Sequence, residues 1–173
     1  MNGKFIRSMH AGAVIGAMIA SVGSIAAAAE EASASLKDRD GKPVGEVRFV
    51  ETPNGTLLHA TLRGLPEGTH AFHVHEVGKC EPPFESAGGH ANPEDTAHGL
   101  KSGSGPHAGD MPNIHVPSSG ELEVEVYNER LQFDNALFDS DGAAVVIHAG
   151  ADDYETDPAG AAGNRIACGV IER

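Results

Sequence analysis

The chain has 173 residues, with 12 Lys and Arg against 25 Asp and Glu and a formal net charge of −13 at pH 7. Nucleic acids and anionic lipid surfaces are bound through clustered Lys and Arg, so this composition argues against both classes of partner. The length is that of one domain with a substantial core.

The first 29 residues have the pattern of a secretory signal. Lys4 and Arg7 precede an uncharged run over residues 11–25, and the small residues 26–29 follow it. A run of about 15 apolar residues is short for a membrane span, and no stop-transfer pattern follows. We predict cleavage after Ala29, a mature domain of residues 30–173 in an oxidising compartment, and no membrane association after cleavage. A retained N-terminal anchor is the alternative.

Alternating polarity predicts a β-hairpin with one wet face after this segment. Its two strands are joined by the turn at residues 53–55. The apolar positions are Val47, Phe49, Leu58, Ala60 and Leu62, alternating with Glu46, Arg48, His59, Thr61 and Arg63. A turn at residues 64–68 and a third strand over residues 69–77 follow.

From residue 78 to residue 112 the sequence is rich in Gly, Pro, Ser and His, without apolar periodicity. A long structureless loop inside a compact domain is usually functional. Strand patterning returns at residues 121–126 and 143–148, and a second Gly- and Asp-rich loop, residues 149–163, leads to a last strand at 165–171. Together, these strands and loops predict an all-β, antiparallel sandwich or barrel that carries two long functional loops.

The main candidates for chemistry are six histidines and one aspartate: His73, His75, His90, His98, His107, Asp110 and His148. This is a suitable inventory for two metal ions. Three imidazoles with one carboxylate form the closed shell typical of zinc, while four imidazoles suit a redox-active copper. A zinc ion closed by four protein ligands has no position for water, which argues against a zinc hydrolase.

Spacing supports part of this set. His73 and His75 are two apart in a predicted strand, so their side chains lie on one face about 7 Å apart. His70 falls on the opposite face, and we predict that it is a buried, hydrogen-bonded core residue. The two cysteines, Cys80 and Cys168, predict a disulfide in an exported protein, with two buried free thiols as the alternative.

Five stretches, in order, resemble those of exported bacterial copper/zinc superoxide dismutases, and the resemblance covers nearly all of the mature chain. They are Phe72-His73-Val74-His75, Gly88-Gly89-His90-Ala91-Asn92-Pro93, His107-Ala108-Gly109-Asp110, Val146-Ile147-His148 and Gly163-Asn164-Arg165-Ile166-Ala167-Cys168-Gly169-Val170-Ile171. The resemblance implies an immunoglobulin-like Greek-key sandwich, or flattened barrel. It also implies a periplasmic enzyme, monomeric or homodimeric, that converts superoxide into dioxygen and hydrogen peroxide.

The resemblance also assigns the site. It implies one copper per subunit held by His73, His75, His90 and His148, and one zinc held by His90, His98, His107 and Asp110. His90 then bridges both ions and handles a proton, and Asp152 accepts hydrogen bonds from His73 and His98. Arg165 docks the anion, and in an unbroken strand it faces away from Cys168. Two other functions fit part of the pattern. One is a periplasmic copper or zinc carrier without turnover, and the other is an adhesive module that uses zinc for rigidity.

Overall fold

The computed structural model describes Met1, residues 29–133 and residues 136–173. The predicted signal segment lies outside the described residues except for its two ends. Within the described ranges, no helix has both the length and the apolar character needed to cross a membrane.

Nine strands and one short 3-10 helix make up the regular structure of the described residues. In chain order they are β1 (Glu31–Asp38), β2 (Pro43–Thr52), β3 (Gly55–Arg63), β4 (Gly68–His70), β5 (Phe72–His75), the 3-10 helix Glu85–Ala87, β6 (Ile114–Val116), β7 (Glu121–Asn128), β8 (Ala144–His148) and β9 (Arg165–Glu172). The predicted all-β class is confirmed.

The strands form one curled seven-stranded antiparallel sheet in the order β5-β8-β9-β1-β2-β3-β7 and a small antiparallel pair, β4-β6. The chain passes through β1, β2 and β3 as neighbours, crosses to β4 and β5, and returns through β6 to β7, which pairs with β3. Strands β4, β6 and β7 lie side by side and β7 pairs with β3, so the long connection from β3 to β4 is a Greek-key connection.

The predicted hairpin is confirmed as β2 and β3. Thr52 pairs with Gly55, so only two residues form the turn. Val47, Phe49 and Leu58 are fully buried, and the main core joins them to side chains of β6 from the small sheet. The alternation in the sequence therefore identified the buried face correctly, as expected for a sheet with one solvated side.

The predicted third strand is wrong in one respect: it is two strands. His70 pairs with Ile114 of β6, whereas Phe72 pairs with Ile147 of β8, so the chain changes partner at Ala71. His70 is buried as predicted. Its Nδ1 lies 2.8 Å from the carbonyl oxygen of His148. Strands β1 and β6 were not predicted.

Candidate metal centre

The first long loop docks on the free edge of β5. The Val74 N–H donates to the carbonyl of Gly109 at 3.0 Å, and the Ala91 N–H donates to the carbonyl of Val74 at 2.9 Å. The loop backbone approaches so closely that a Cβ on Gly109 would overlap the Val74 carbonyl oxygen. This docking places His90 and Asp110 in bridge positions beside β5.

The seven predicted ligands come together in two buried groups that share one residue. In each group, one ligand atom from every residue lies within 4.8 Å of the others. The groups are His73, His75, His90 and His148, and His90, His98, His107 and Asp110. His90 belongs to both, which is the arrangement that a bridging imidazole requires.

In the second group, three imidazoles surround one carboxylate oxygen. The Nδ1 atoms of His90, His98 and His107 lie 2.7, 3.1 and 3.3 Å from Asp110 Oδ1. Burial raises the pKa of Asp110, but hydrogen bonds from His90 and from the Gly99 N–H prevail and lower this pKa to about 2. The group therefore offers three nitrogens and one ionised oxygen to a common point, which fits zinc.

In the first group, the outward ring nitrogens are held by protein oxygens. His75 Nδ1 donates to the Gly88 carbonyl at 3.0 Å, and His148 Nδ1 donates to the Gly163 carbonyl at 3.2 Å. His73 Nε2 donates to Asp152 at 2.7 Å. These bonds fix the tautomers and turn the lone pairs of the other ring nitrogens inward.

Two inward nitrogens provide the test of whether a metal fits. His73 Nδ1 and His90 Nε2 are buried and have no hydrogen-bond partner in the described structure. A buried polar atom without a partner costs about 1 to 3 kcal/mol, so such atoms need an explanation. A metal ion accepting both lone pairs supplies it, and four imidazoles are the donor set that suits copper.

Burial also keeps three of these imidazoles, those of His75, His90 and His148, neutral. It lowers the pKa of His90 to about 4 and the pKa of His148 to about 3, and it lowers the pKa of His75 well below its usual value. A histidine must be neutral to bind a metal, so at neutral pH these rings are ready to act as ligands.

Asp152 links the two groups. Its Oδ2 accepts from His73 at 2.7 Å, and its Oδ1 accepts from His98 at 3.0 Å. Burial raises the pKa of Asp152, yet these hydrogen bonds prevail and hold this pKa well below the usual range. Asn113 fixes the Asp152 backbone through both its side-chain atoms, and a Cβ on Gly160 would overlap the Asp152 carboxylate. The sequence contains no signal for these two supporting residues.

The Arg165 side chain turns toward the loop that contains Cys80. Its guanidinium donates to the carbonyls of Phe84 and Gly88, both at 2.7 Å, and it remains partly exposed. The Gly88 carbonyl also accepts from His75, so Arg165 and the first ligand group share one oxygen. Burial lowers the pKa of Arg165 from its usual value, and a guanidinium stays charged nonetheless.

Arg165 was expected to face away from Cys168 if the last strand were unbroken. That condition is not met, because β9 contains a bulge. Ile147 pairs with Ala167 while the next residue, His148, pairs with Arg165. One residue on β8 thus corresponds to two on β9, and Arg165 reaches the same loop that Cys168 contacts. The bulge re-aims the side chain, as bulges beside active sites commonly do.

The predicted disulfide between Cys80 and Cys168 is confirmed, with Cα atoms 5.7 Å apart. Cys168 packs in a second core cluster with Phe84 and Val146. The bond therefore ties the loop of residues 80–88 to β9 next to Arg165.

Comparisons with known proteins agree with this geometry. Residues 43–171 match a family model described as copper/zinc superoxide dismutase. A relative named superoxide dismutase [Cu-Zn] 2 from Aquifex aeolicus is 48% identical over 82% of this chain and 86% of its own. A superoxide dismutase [Cu-Zn] from Caulobacter vibrioides is 43% identical over 82% of this chain and 85% of its own. The solved Cu/Zn superoxide dismutase from Brucella abortus is 30% identical with a TM-score of 0.70, covering 83% of this chain and all of its own.

Proposed function

The chain belongs to the copper/zinc superoxide dismutase family, and from this membership we propose the function of its metal centre. The protein is an enzyme that binds copper and zinc and converts superoxide into dioxygen and hydrogen peroxide. The observation that carries the assignment is His90. It belongs to both ligand groups, with Nδ1 beside Asp110 and a buried Nε2 that has no other partner among the described residues.

We assign the first group to copper and the second to zinc, one ion of each per chain. When bound, copper supplies the one-electron redox change, taking an electron from one superoxide and giving it to the next, whereas zinc has no redox chemistry. The copper ligands are His73, His75, His90 and His148, and the zinc ligands are His90, His98, His107 and Asp110.

The chain itself binds the anion and supplies a proton. Two carbonyls hold the guanidinium of Arg165 in place, and its permanent charge suits a small anion. The Gly88 carbonyl fixes Arg165 relative to His75, so the docking position lies next to the copper group. Hydrogen peroxide needs protons, and we assign His90 Nε2 to hold and release one when copper would not occupy its lone pair.

We also propose export to the periplasm. The disulfide supports it, because such bonds form and persist in oxidising compartments, and the matched relatives are bacterial. On this proposal residues 1–29 are removed and the mature enzyme is residues 30–173. Mass spectrometry of the protein recovered from a periplasmic fraction tests the cleavage site, and recovery in the cytoplasm with residues 1–29 attached would contradict it.

Metal analysis combined with a superoxide consumption assay tests the function. The purified protein is expected to contain copper and zinc in equal amounts and to consume superoxide. His148→Ala is expected to lose copper and activity while keeping zinc, because His148 contributes to the first group alone. His107→Ala is the matched variant for the second group and is expected to lose zinc first. Equal loss of both metals from both variants would contradict two separate sites.

Arg165→Ala tests the docking assignment. Arg165 belongs to neither ligand group, so this variant is expected to keep both metals and its fold. Loss of the fixed cation is expected to lower kcat/KM for superoxide severalfold or more, since a hydrogen bond to a charged partner is worth about 1.5 to 3 kcal/mol. Wild-type kcat/KM at low ionic strength would refute the docking role.

A further inference from the structure

The carbonyl of Arg165 lies at the bulge of β9 and beyond the end of β1, the strand that pairs with the other edge of β9. Pairing between β1 and β9 ends where Asp38 meets Ala167, two residues short of Arg165. Bulges leave backbone groups out of the regular ladder. At this position a side chain supplies the donor in place of a β1 backbone N–H: Arg39 Nε donates to the Arg165 carbonyl oxygen at 2.7 Å.

The turn that carries Arg39 is itself fixed. The Asp38 carboxylate accepts hydrogen bonds from the backbone N–H groups of Asp40 and Lys42, at 3.0 and 2.9 Å. The Asp38 N–H closes the turn by donating to the Lys42 carbonyl at 3.0 Å. Arg39 is exposed, yet it extends from a turn with little freedom, so its hydrogen bond holds the start of β9 against a rigid support.

We propose that Arg39 is a positioning residue for superoxide docking. It fixes the backbone of the bulge from one side, while the carbonyls of Phe84 and Gly88 fix the Arg165 guanidinium from the other. Arg39 touches neither the substrate nor a metal ligand; it acts through Arg165. This inference rests on the proposed function, because it requires Arg165 to bind the anion.

Azide binding to the copper- and zinc-loaded protein is the probe, followed by its optical absorption, with kcat/KM for superoxide measured alongside. Arg39→Ala is expected to weaken azide binding and to lower kcat/KM by about three- to tenfold, the effect of one ordinary hydrogen bond. Arg48→Ala is the matched control: it removes the same charge from an exposed position on β2, and wild-type values are expected. If Arg39→Ala and Arg48→Ala behave alike, the proposal fails.

Arg39→Gln separates the hydrogen bond from the charge. Glutamine keeps an N–H donor at the position of Nε but has no charge, so the proposal expects values close to those of the wild type. Values as low as those of Arg39→Ala would mean that charge acts, and would overturn the positioning role. A further readout is amide hydrogen exchange at residues 164–166 in the metal-free protein, which is expected to accelerate in Arg39→Ala.

Arg165→Ala distinguishes failure of this inference from failure of the proposed docking. If Arg165→Ala leaves azide binding unchanged, docking by Arg165 is wrong, and with it the inference. If Arg165→Ala weakens azide binding and Arg39→Ala does not, only the inference is wrong. The double variant is expected to match Arg165→Ala alone, because Arg39 acts through that residue; additive losses would contradict the proposal.

Discussion

Asp152 connects the two ligand groups without belonging to either. Each of its oxygens accepts from the outward nitrogen of a histidine in a different ligand group, His73 in one and His98 in the other. Such hydrogen bonds orient the ring and increase the basicity of the inward nitrogen. The orientation of both groups therefore depends on a residue of the second long loop. This loop is far in sequence from the first long loop, which carries His98.

Replacing Asp152 tests this coupling. Asp152→Asn keeps the shape but loses the charge and one acceptor, so His98 and His73 lose their fixed orientation. We expect zinc affinity to fall by about 10- to 100-fold, the usual cost of removing a group that orients a metal ligand. Competition with a chelator measures it. Glu155→Gln removes a nearby exposed carboxylate in the same loop and is expected to leave the affinity unchanged.

For single residues, the sequence predicted which side chains form the site, but it did not predict which backbone groups hold them. The members of the two buried groups, such as His73 and His75, were predictable because the motifs around them are distinctive. The carbonyls of Gly88 and Gly163, which fix His75 and His148, were not predictable, since every residue carries a carbonyl and only the fold decides where it points. Asn113 had no recognisable pattern for the same reason.

Among the elements, β5 has the most consequential surroundings. One edge pairs with β8 and the other receives the first long loop, so β5 is covered on both sides. Covering an edge prevents pairing with other chains. In this fold the covering segment also carries ligands, so the contacts that protect the edge of β5 also form the site.

Gly109→Ala tests the docking of this loop. A methyl group there overlaps the carbonyl oxygen of Val74, so the loop must move away from β5 and take Asp110 with it. Overpacking of this kind costs about 1 to 3 kcal/mol. We expect a lower free energy of unfolding in denaturant titration and weaker zinc binding. Gly103→Ala lies in the same loop with open space around it and is expected to change stability by less than about 0.5 kcal/mol. Equal effects of the two substitutions would show that the loop does not dock as described.

Prediction of the elements depended on how strongly each one alternates. The pair β2 and β3 alternates large apolar residues with charged ones and was predicted correctly. Strand β1 buries Ala32, Ala34 and Leu36, and alanine marks an inward face weakly, so it was missed. Strand β6 has three residues, too few to show a period. The bulge at Arg165 arises from pairing with β8 and has no local signal.

The whole molecule is negatively charged, although its substrate is an anion. Net charge −13 repels superoxide at long range, so productive approach depends on local cations. Lys79 forms an ion pair with Glu81, which offsets its charge, whereas Arg165 is held by neutral carbonyls. On the proposed docking role, Arg165 therefore supplies the local attraction together with the metals.

The disulfide connects stability of the whole chain with the geometry of docking. It closes a separation of 88 residues, and in the chain-entropy model such a loop is worth about 4 to 5 kcal/mol. It also holds the loop of residues 80–88, whose carbonyls at Phe84 and Gly88 orient Arg165. The zinc group takes none of its ligands from that loop.

Removing the disulfide is thus expected to have two separable effects. In the double variant Cys80→Ser and Cys168→Ser, the free energy of unfolding is expected to fall by about 2 to 5 kcal/mol, measured by denaturation of the metal-free protein. Under native conditions zinc is expected to remain, while azide binding to the copper-loaded protein weakens because the loop that fixes Arg165 has lost its tether. If stability falls while azide affinity stays at the wild-type value, the disulfide acts on the unfolded chain alone, and the loop keeps its place through the packing of Phe84 and Val146.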